Sequence, residues 1–249
     1  GYNIWPSEFS LDAYKLVFVS GDIPQAYLIT VGTTIVGTFF SMVFTCGAAY
    51  AMSVKNFKSR GVLALFIYFT MLFNGGLVAN YLLTTKFLHL QNNILVLLLP
   101  SFCNAWNILL MRNFFSGIPA SLAESAKIDG ANDITILIKI IIPISLPGIA
   151  TIGLFYALTY WNEWYKCLLY IDSSHSQYYT LQYLIQQILR QVNYAANQPA
   201  EAVGLNSLTL PTYAYRMATI IVAIGPIILL YPFLQKYFVQ GLTVGSVKG

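Results

Sequence analysis

An all-α protein that crosses a membrane several times is the fold class this sequence predicts, on three observations. Of its 249 residues 57% are hydrophobic and only 9% charged, against roughly 25% charged in soluble domains, so a soluble fold would leave too much apolar surface in water. Five segments, residues 23–54, 61–85, 87–111, 140–162 and 217–235, contain no Asp, Glu, Lys or Arg. Each supplies the roughly 20 residues needed to cross about 30 Å of hydrocarbon. None shows barrel-type alternation, and backbone groups in lipid must be satisfied within the segment, so these are helices. Aromatic residues reach 15%, with 18 tyrosines, which suits a chain with two interfaces where amphipathic rings collect.

In chain order, residues 1–24 form a polar and aromatic lead-in on the outer side, with Ser10 placed to cap a short helix from Leu11. Spans follow over about 25–54, 62–85, 93–112, 145–170 and 214–237, with an inner loop over 113–146, an outer loop over 171–213 and an inner tail over 240–249. Orientation comes from the basic residues. Lys55, Lys58 and Arg60 crowd the first turn, Arg112, Lys127 and Lys139 mark the central loop, and Lys236 and Lys248 lie in the tail, so these face the cytoplasm. Five spans with an inner C-terminus place Gly1 outside, and a chain that starts inside then requires a further span upstream.

Breakers interrupt the spans: Asn74-Gly75-Gly76 in the second, Pro100 in the third, Gly225-Pro226 and Pro232 in the fifth. They mark either unwound segments lining a cavity or close helix packing. In the outer loop, Leu181, Leu184, Ile185, Ile188 and Leu189 keep helical spacing. That is an amphipathic helix, lying either against a membrane or partner or as a lid on the chain's own spans.

The central loop is polar where its neighbours are oily. Pro119 precedes small helix formers, Gly130 breaks the pattern, and Asn132 and Asp133 offer N-caps, giving two short helices with a kink. Its spacing, Glu124-Ser125-Ala126, three residues, Gly130, nine residues, Ile140, one residue, Ile142-Pro143, resembles the EAA loop of ABC-importer permeases, EAA-x3-G-x9-I-x-L-P. Ser125 stands for the usual middle alanine and Ile142 for the usual leucine. With the lead-in Ile4-Trp5-Pro6, the Trp161-Asn162-Glu163 cluster and the tail Phe238-Val239-Gln240-Gly241, the chain is similar to type I, maltose-permease-like subunits of the carbohydrate group, nearest to those handling oligosaccharides or polysaccharide fragments.

That resemblance implies a bacterial cytoplasmic membrane protein whose first span lies upstream of Gly1. It also implies a second permease subunit, two ATPase subunits, an extracellular solute-binding protein and a carbohydrate substrate moved by alternating access. ATP and Mg are expected on the ATPase chains; no cofactor, metal or catalytic residue is expected on this one. The implied ATPase-coupling residues are Glu124, Ser125, Ala126, Asp129, Gly130, Ala131 and Pro143. Glu124 would pair with a basic partner residue, Asp129 would hold the kink, and Ala126, Gly130 and Ala131 would allow close approach.

Candidate substrate-path residues are Asn104, Asn107, Trp161, Asn162, Glu163 and Trp164. A carboxylate near the membrane interior is a functional candidate, and rings beside Asn and Glu match the faces and hydroxyls of a pyranose. The same cluster also reads as an interfacial belt with Glu163 paired to Lys166 three residues on, and the asparagines as helix-to-helix hydrogen bonds. Other classes fit less well. A permease for a non-sugar solute would share the central loop, and an intramembrane enzyme would need paired acids or a metal motif. Cys46, Cys103 and Cys167 are scattered apolar fillers, only His89 and His175 occur, no phosphate-cradling glycine motif is present, and a net charge of +4 is too small to point to nucleic acid.

Overall fold

A computed structural model describes residues 10–19, 22–197 and scattered helical residues between 214 and 228. The Ile4-Trp5-Pro6 lead-in, the end of the outer loop from 198, most of the fifth expected span and the tail fall outside the described residues. All regular structure among the described residues is helical.

Helix α1, Asp12–Val19, opens where the Asp12 N–H donates to Ser10 Oγ at 3.1 Å, the expected cap one residue later than Leu11. Helix α2, Asp22–Ser53, is the axis of the molecule. Its 32 residues span about 48 Å at 1.5 Å each. It buries Ile23, Ala26, Thr30, Thr33, Gly37, Ser41, Thr45 and Ala49, three or four residues apart and mostly small, the composition that lets membrane helices approach closely. Its opposite face, with Leu28, Ile35, Phe39 and Val43, is exposed.

Among the described helices α2 alone is long and apolar enough to cross unaided; the other candidates are bent pairs. Helix α3, Arg60–Leu72, meets α4, Gly76–Leu82, continued by a π turn over Leu83–Phe87, at 114°. Helix α5, Leu95–Leu98, runs through a 3-10 turn, Leu99–Ser101, and meets α6, Ala105–Ser116, at 48°. Both breaks fall at the Asn74-Gly75-Gly76 and Pro100 signals. The elbow helix α7 covers Ala120–Ile128. After it α8, Asp133–Ile136, a π turn over Leu137–Ile141 and α9, Ile142–Ile144, meet α10, Leu146–Trp161, at 89°. The stretch 145–170 is itself divided, with α11 resuming at Tyr165–Tyr170.

The core lies between α2, α6 and α10. At Gly37 a Cβ would come within 2.5 Å of the Tyr160 ring, and at Gly148 within 2.7 Å of the Phe114 ring, so these glycines set the approach of α10 to α2 and α6. Helix α12, Leu181–Asn197, takes the expected amphipathic form. Leu181 and Ile185 are buried with Ala13, Ile23, Ala26 and Trp161, and Leu184, Ile188 and Leu189 pack on that cluster. The Leu181 N–H donates to Thr30 Oγ1 at 2.8 Å. Of the two arrangements the sequence allowed, the apolar face is a lid on the chain's own helices.

Candidate functional site

The elbow is built by local rules. Pro119 precedes α7 with φ −56° and ψ 128°, so the chain enters the helix from an extended residue. Gly130 has φ +84°, a conformation that glycine adopts at least cost. The Ala131 N–H then reaches the Ala126 carbonyl at 2.9 Å and the Gly130 N–H the Lys127 carbonyl at 3.1 Å, the paired bonds of a Schellman closure. Asn132 Oδ1 accepts from the Thr135 N–H at 2.8 Å and starts α8. Two short helices with a kink are what the spacing predicted. Pro143 falls just after the π turn; a proline supplies no N–H, and its ring displaces the regular ladder behind it.

The faces of the elbow divide differently from expectation. Glu124, Ser125, Asp129 and Gly130 are exposed, with Leu122, Ile128 (87% exposed) and Ile134 beside them. Ala126 and Ala131 are only partly exposed: with Ala123 they pack on the cluster that holds Tyr50, Met111, Phe115 and Ile136. Their small size lets the elbow seat on its own bundle. Asp129 ends α7 through its backbone N–H, bonded to the Ser125 carbonyl at 3.1 Å. The tie to α2 comes from residues the motif did not single out: Lys127 Nζ is 2.8 Å from Asp133 Oδ1, and Tyr50 OH donates to the same oxygen at 3.4 Å. Beside the elbow's root lies a cleft of about 520 Å³ between the end of α6 and the start of α10, lined by Leu110, Asn113, Gly117, Pro119, Ile144 and Pro147.

Deeper in the bundle, the predicted path residues are largely engaged in holding breaks. Asn104 caps α6, its Oδ1 accepting from the Asn107 N–H at 3.1 Å, and Asn107 is buried. Trp106 between them stays 60% exposed. Trp161 is buried at the edge of Tyr27, with ring centroids 6.3 Å apart. Asn162 ends α10, its Nδ2 donating to the Leu158 carbonyl at 2.8 Å. Glu163 accepts from the Lys166 N–H at 2.8 Å and pairs with the Lys166 ammonium, which also donates to Ser101 Oγ at 2.8 Å. The pair foreseen at that spacing exists, and it fastens α11 to the break in the third span. Trp164, half-buried, meets Tyr165 edge-on.

Sequence reasoning missed Ser41, Thr45, Tyr156 and Tyr160. Ser41 Oγ and Tyr160 OH are 3.0 Å apart, Thr45 Oγ1 and Tyr156 OH 2.7 Å. Their signal was available: two hydroxyl pairs, each spaced four residues apart, inside charge-free segments. Of the three cysteines, Cys46 and Cys167 are buried as fillers, while Cys103 is exposed at the break.

The family described as binding-protein-dependent transport system inner membrane component matches residues 41–244. The chain belongs to that family. It is therefore a multi-pass permease of a bacterial ABC importer's cytoplasmic membrane and a transport subunit, not an enzyme. This permease is 42% identical over 244 residues, 98% of its own length and 84% of the relative's, to the polygalacturonan/rhamnogalacturonan transport system permease protein YtcP of Bacillus subtilis (strain 168). It is 38% identical over 247 residues to Protein LplC of the same organism, covering 99% of this chain and 81% of that protein. The arabinooligosaccharides transport system permease protein AraQ of Halalkalibacterium halodurans is 27% identical over 250 residues, 98% of this chain and 81% of AraQ. Among solved structures, a bacterial ABC transporter involved in the import of the acidic polysaccharide alginate superposes with a TM-score of 0.82 at 33% identity, covering 94% of this chain and 81% of that one.

Proposed function

We propose that this permease passes an oligosaccharide, a fragment of a plant-type or acidic polysaccharide, from an extracellular binding protein into the cytoplasm. The supporting observation is the combination of an exposed, sharply closed elbow with relatives named for polygalacturonan, rhamnogalacturonan and arabinooligosaccharides. Two ATPase subunits carrying ATP and Mg would seat the exposed face of α7, where Glu124 offers a carboxylate and Ile128 an apolar knob. Gly130 and Asp129 hold that face at its angle. The elbow and the C-terminus lie on the cytoplasmic side. A second permease subunit completes the path, and its natural contact is the broken α3–α4 pair. Thirteen residues from Arg60 to Leu72 carry the chain about 20 Å into the bilayer at 1.5 Å each. A break at that depth needs protein or a water-lined cavity beside it, not lipid tails.

The test is reconstitution of the assembled importer in proteoliposomes with its binding protein. ATPase stimulation and uptake are expected with an acidic or arabinose-containing oligosaccharide and not with monosaccharides or amino acids. Stimulation by an amino acid alone would replace the sugar reading with a small-solute importer. Gly130→Val, which forces a β-branched residue to φ +84°, is expected to leave the subunit in the membrane while separating ATP hydrolysis from uptake.

A further inference from the structure

The break in the third span poses a solvation problem in the middle of the bundle. Bending the chain between Leu95–Ser101 and Ala105–Ser116 frees carbonyls before the break and N–H groups after it, and buried groups of this kind need partners. The partners come from α10. Tyr160 OH donates to the Leu98 carbonyl at 3.2 Å, and the Asn104 N–H donates to Tyr156 OH at 3.2 Å. The two tyrosines stand one turn apart and are each 1% exposed. Ser41 and Thr45, also one turn apart on α2, hold the same two hydroxyls from behind, and Ser41 Oγ reaches on to the Ser101 carbonyl at 3.4 Å. Both sides of the break are thus bonded to one helix, with α2 as the backing.

That helix is the one the elbow leads into. From Asn132 the chain runs through α8, the π turn and α9 into α10 with no intervening loop; the buried Ser145 sits at the 89° corner, its N–H bonded to the Ile141 and Ile142 carbonyls at 3.0 and 3.1 Å. Tyr156 lies ten residues beyond Leu146, about 15 Å along the helix from that corner. A rotation of α10 at the Ser145 corner cannot leave the break behind unless both tyrosine bonds part.

We infer that Tyr156 and Tyr160 are positioning residues of the transport step: they make α10 the handle that sets the angle of the break at Leu99–Asn104, so that displacement of the elbow is delivered to the centre of the membrane. This rests on the importer reading and adds the connection between its two ends. The residues need not touch substrate.

The importer, assembled with its partner subunits and binding protein, is compared with Tyr156→Phe, Tyr160→Phe and the double variant. Each keeps the ring and removes only the hydroxyl. ATPase activity stimulated by the loaded binding protein is expected to stay within about twofold, while uptake per ATP falls about tenfold in the double variant. Tenfold is about 1.4 kcal/mol, within what the two lost bonds to the break are worth together. Spin labels at Leu95 and Trp106, both exposed flanks of the break, are expected to change separation with nucleotide in the parent and not in the double variant. A merely structural hydroxyl would lower the amount of assembled importer and leave uptake per ATP and the label distances unchanged, and that result overturns the inference. Should the double variant fail to assemble, Thr45→Val and Thr45→Ser decide. Coupling lost with valine and kept with serine supports it, and coupling kept in both overturns it. A parent that shows no stimulated uptake at all rejects the importer reading itself, which is a separate outcome.

Discussion

Of the three bent pairs among the described residues, the two that precede the elbow are finished differently. The break between α5 and α6 is shallow, 48°, and is stitched from within. Tyr156 and Tyr160 bond its backbone, Lys166 reaches Ser101, and Asn104 caps the helix that resumes. The break between α3 and α4 is steep, 114°, and bare. Its N–H at Gly76 is met by the neighbouring Asn74 side chain at 2.8 Å, Gly76 sits at φ +79° with nothing within 4 Å of an added Cβ, and Phe73, Leu77 and Val78 are exposed around it. The difference is that one break has its backbone and flanks bonded from α10, α2 and α11, while the other is left with only its own Asn74 side chain; on the proposed function the first moves with the elbow and the second is completed by another subunit.

The largest expected effect attacks the stitching at its closest contact. Gly37→Leu would drive a side chain into the Tyr160 ring, where a Cβ alone already comes within 2.5 Å. Overpacking of this severity costs about 3 kcal/mol. Thermal melting of the purified subunit in detergent is expected to show it, and an unchanged melting temperature would mean that α2 and α10 are not in register as described. Lys166→Met comes next, since it leaves the Glu163 carboxylate, 11% exposed on its side chain, without its cation. The cost is about 2 kcal/mol, because burial here is incomplete. The double variant Glu163→Gln/Lys166→Met is expected to recover most of it, and a double variant as unstable as the single one would show that the pair does not fasten the break.

The bare break should respond weakly in stability and strongly in contact. Gly76→Ala costs about 1–2 kcal/mol from the left-handed backbone alone. A cysteine at Val78, 71% exposed, is expected to crosslink to the second permease subunit in the assembled importer. A cysteine at Phe39, on the exposed face of α2, is expected to react with a lipid-phase thiol probe instead. Equal behaviour of the two positions would mean that lipid, and not a second subunit, covers the α3–α4 break.

How much of this was legible in sequence follows from the range of each interaction. The elbow was readable because its causes are local: Pro119 before it, Gly130 at positive φ and Asn132 at the cap act within three or four residues. The breaks at Asn74-Gly75-Gly76 and Pro100 were readable for the same reason, as was the helix over Leu181–Leu189 from its spacing. The partners were not. Tyr156 meets Thr45 across 111 positions of chain, and whether Ala126 faces inward or outward depends on where the end of α2 places Tyr50. Glu163 showed its local bond to Lys166, whereas the onward contact to Ser101 is 65 residues away. Charge and glycine or proline punctuation carry local geometry; which side of a helix is covered is decided by tertiary contacts.

The smallest expected effect concerns the connection between the two breaks. The turn that joins α4 to α5 is pinned by reciprocal bonds, Asn92 Nδ2 to Asp172 Oδ2 at 2.6 Å and the Asp172 N–H to Asn92 Oδ1 at 2.9 Å. The Ser174 hydroxyl first, then the His175 ring and the Asn92 amide, hold the Asp172 carboxyl well below the usual carboxylate range. A depressed carboxyl contributes stability that is fully present above its unfolded value near 3.9 and is lost only as pH falls through the lower folded value. Asp172 therefore stays ionised throughout the working range. The group is exposed, so its removal should loosen the turn without unfolding the subunit. With a spin label at Gln91, mobility is expected to stay flat from pH 8 to pH 5 in the parent, to rise in Asp172→Ala, and to leave uptake within about twofold. A large loss of uptake in Asp172→Ala would mean that this turn sets the relative angle of the two breaks, and that they work as one jointed unit instead of two.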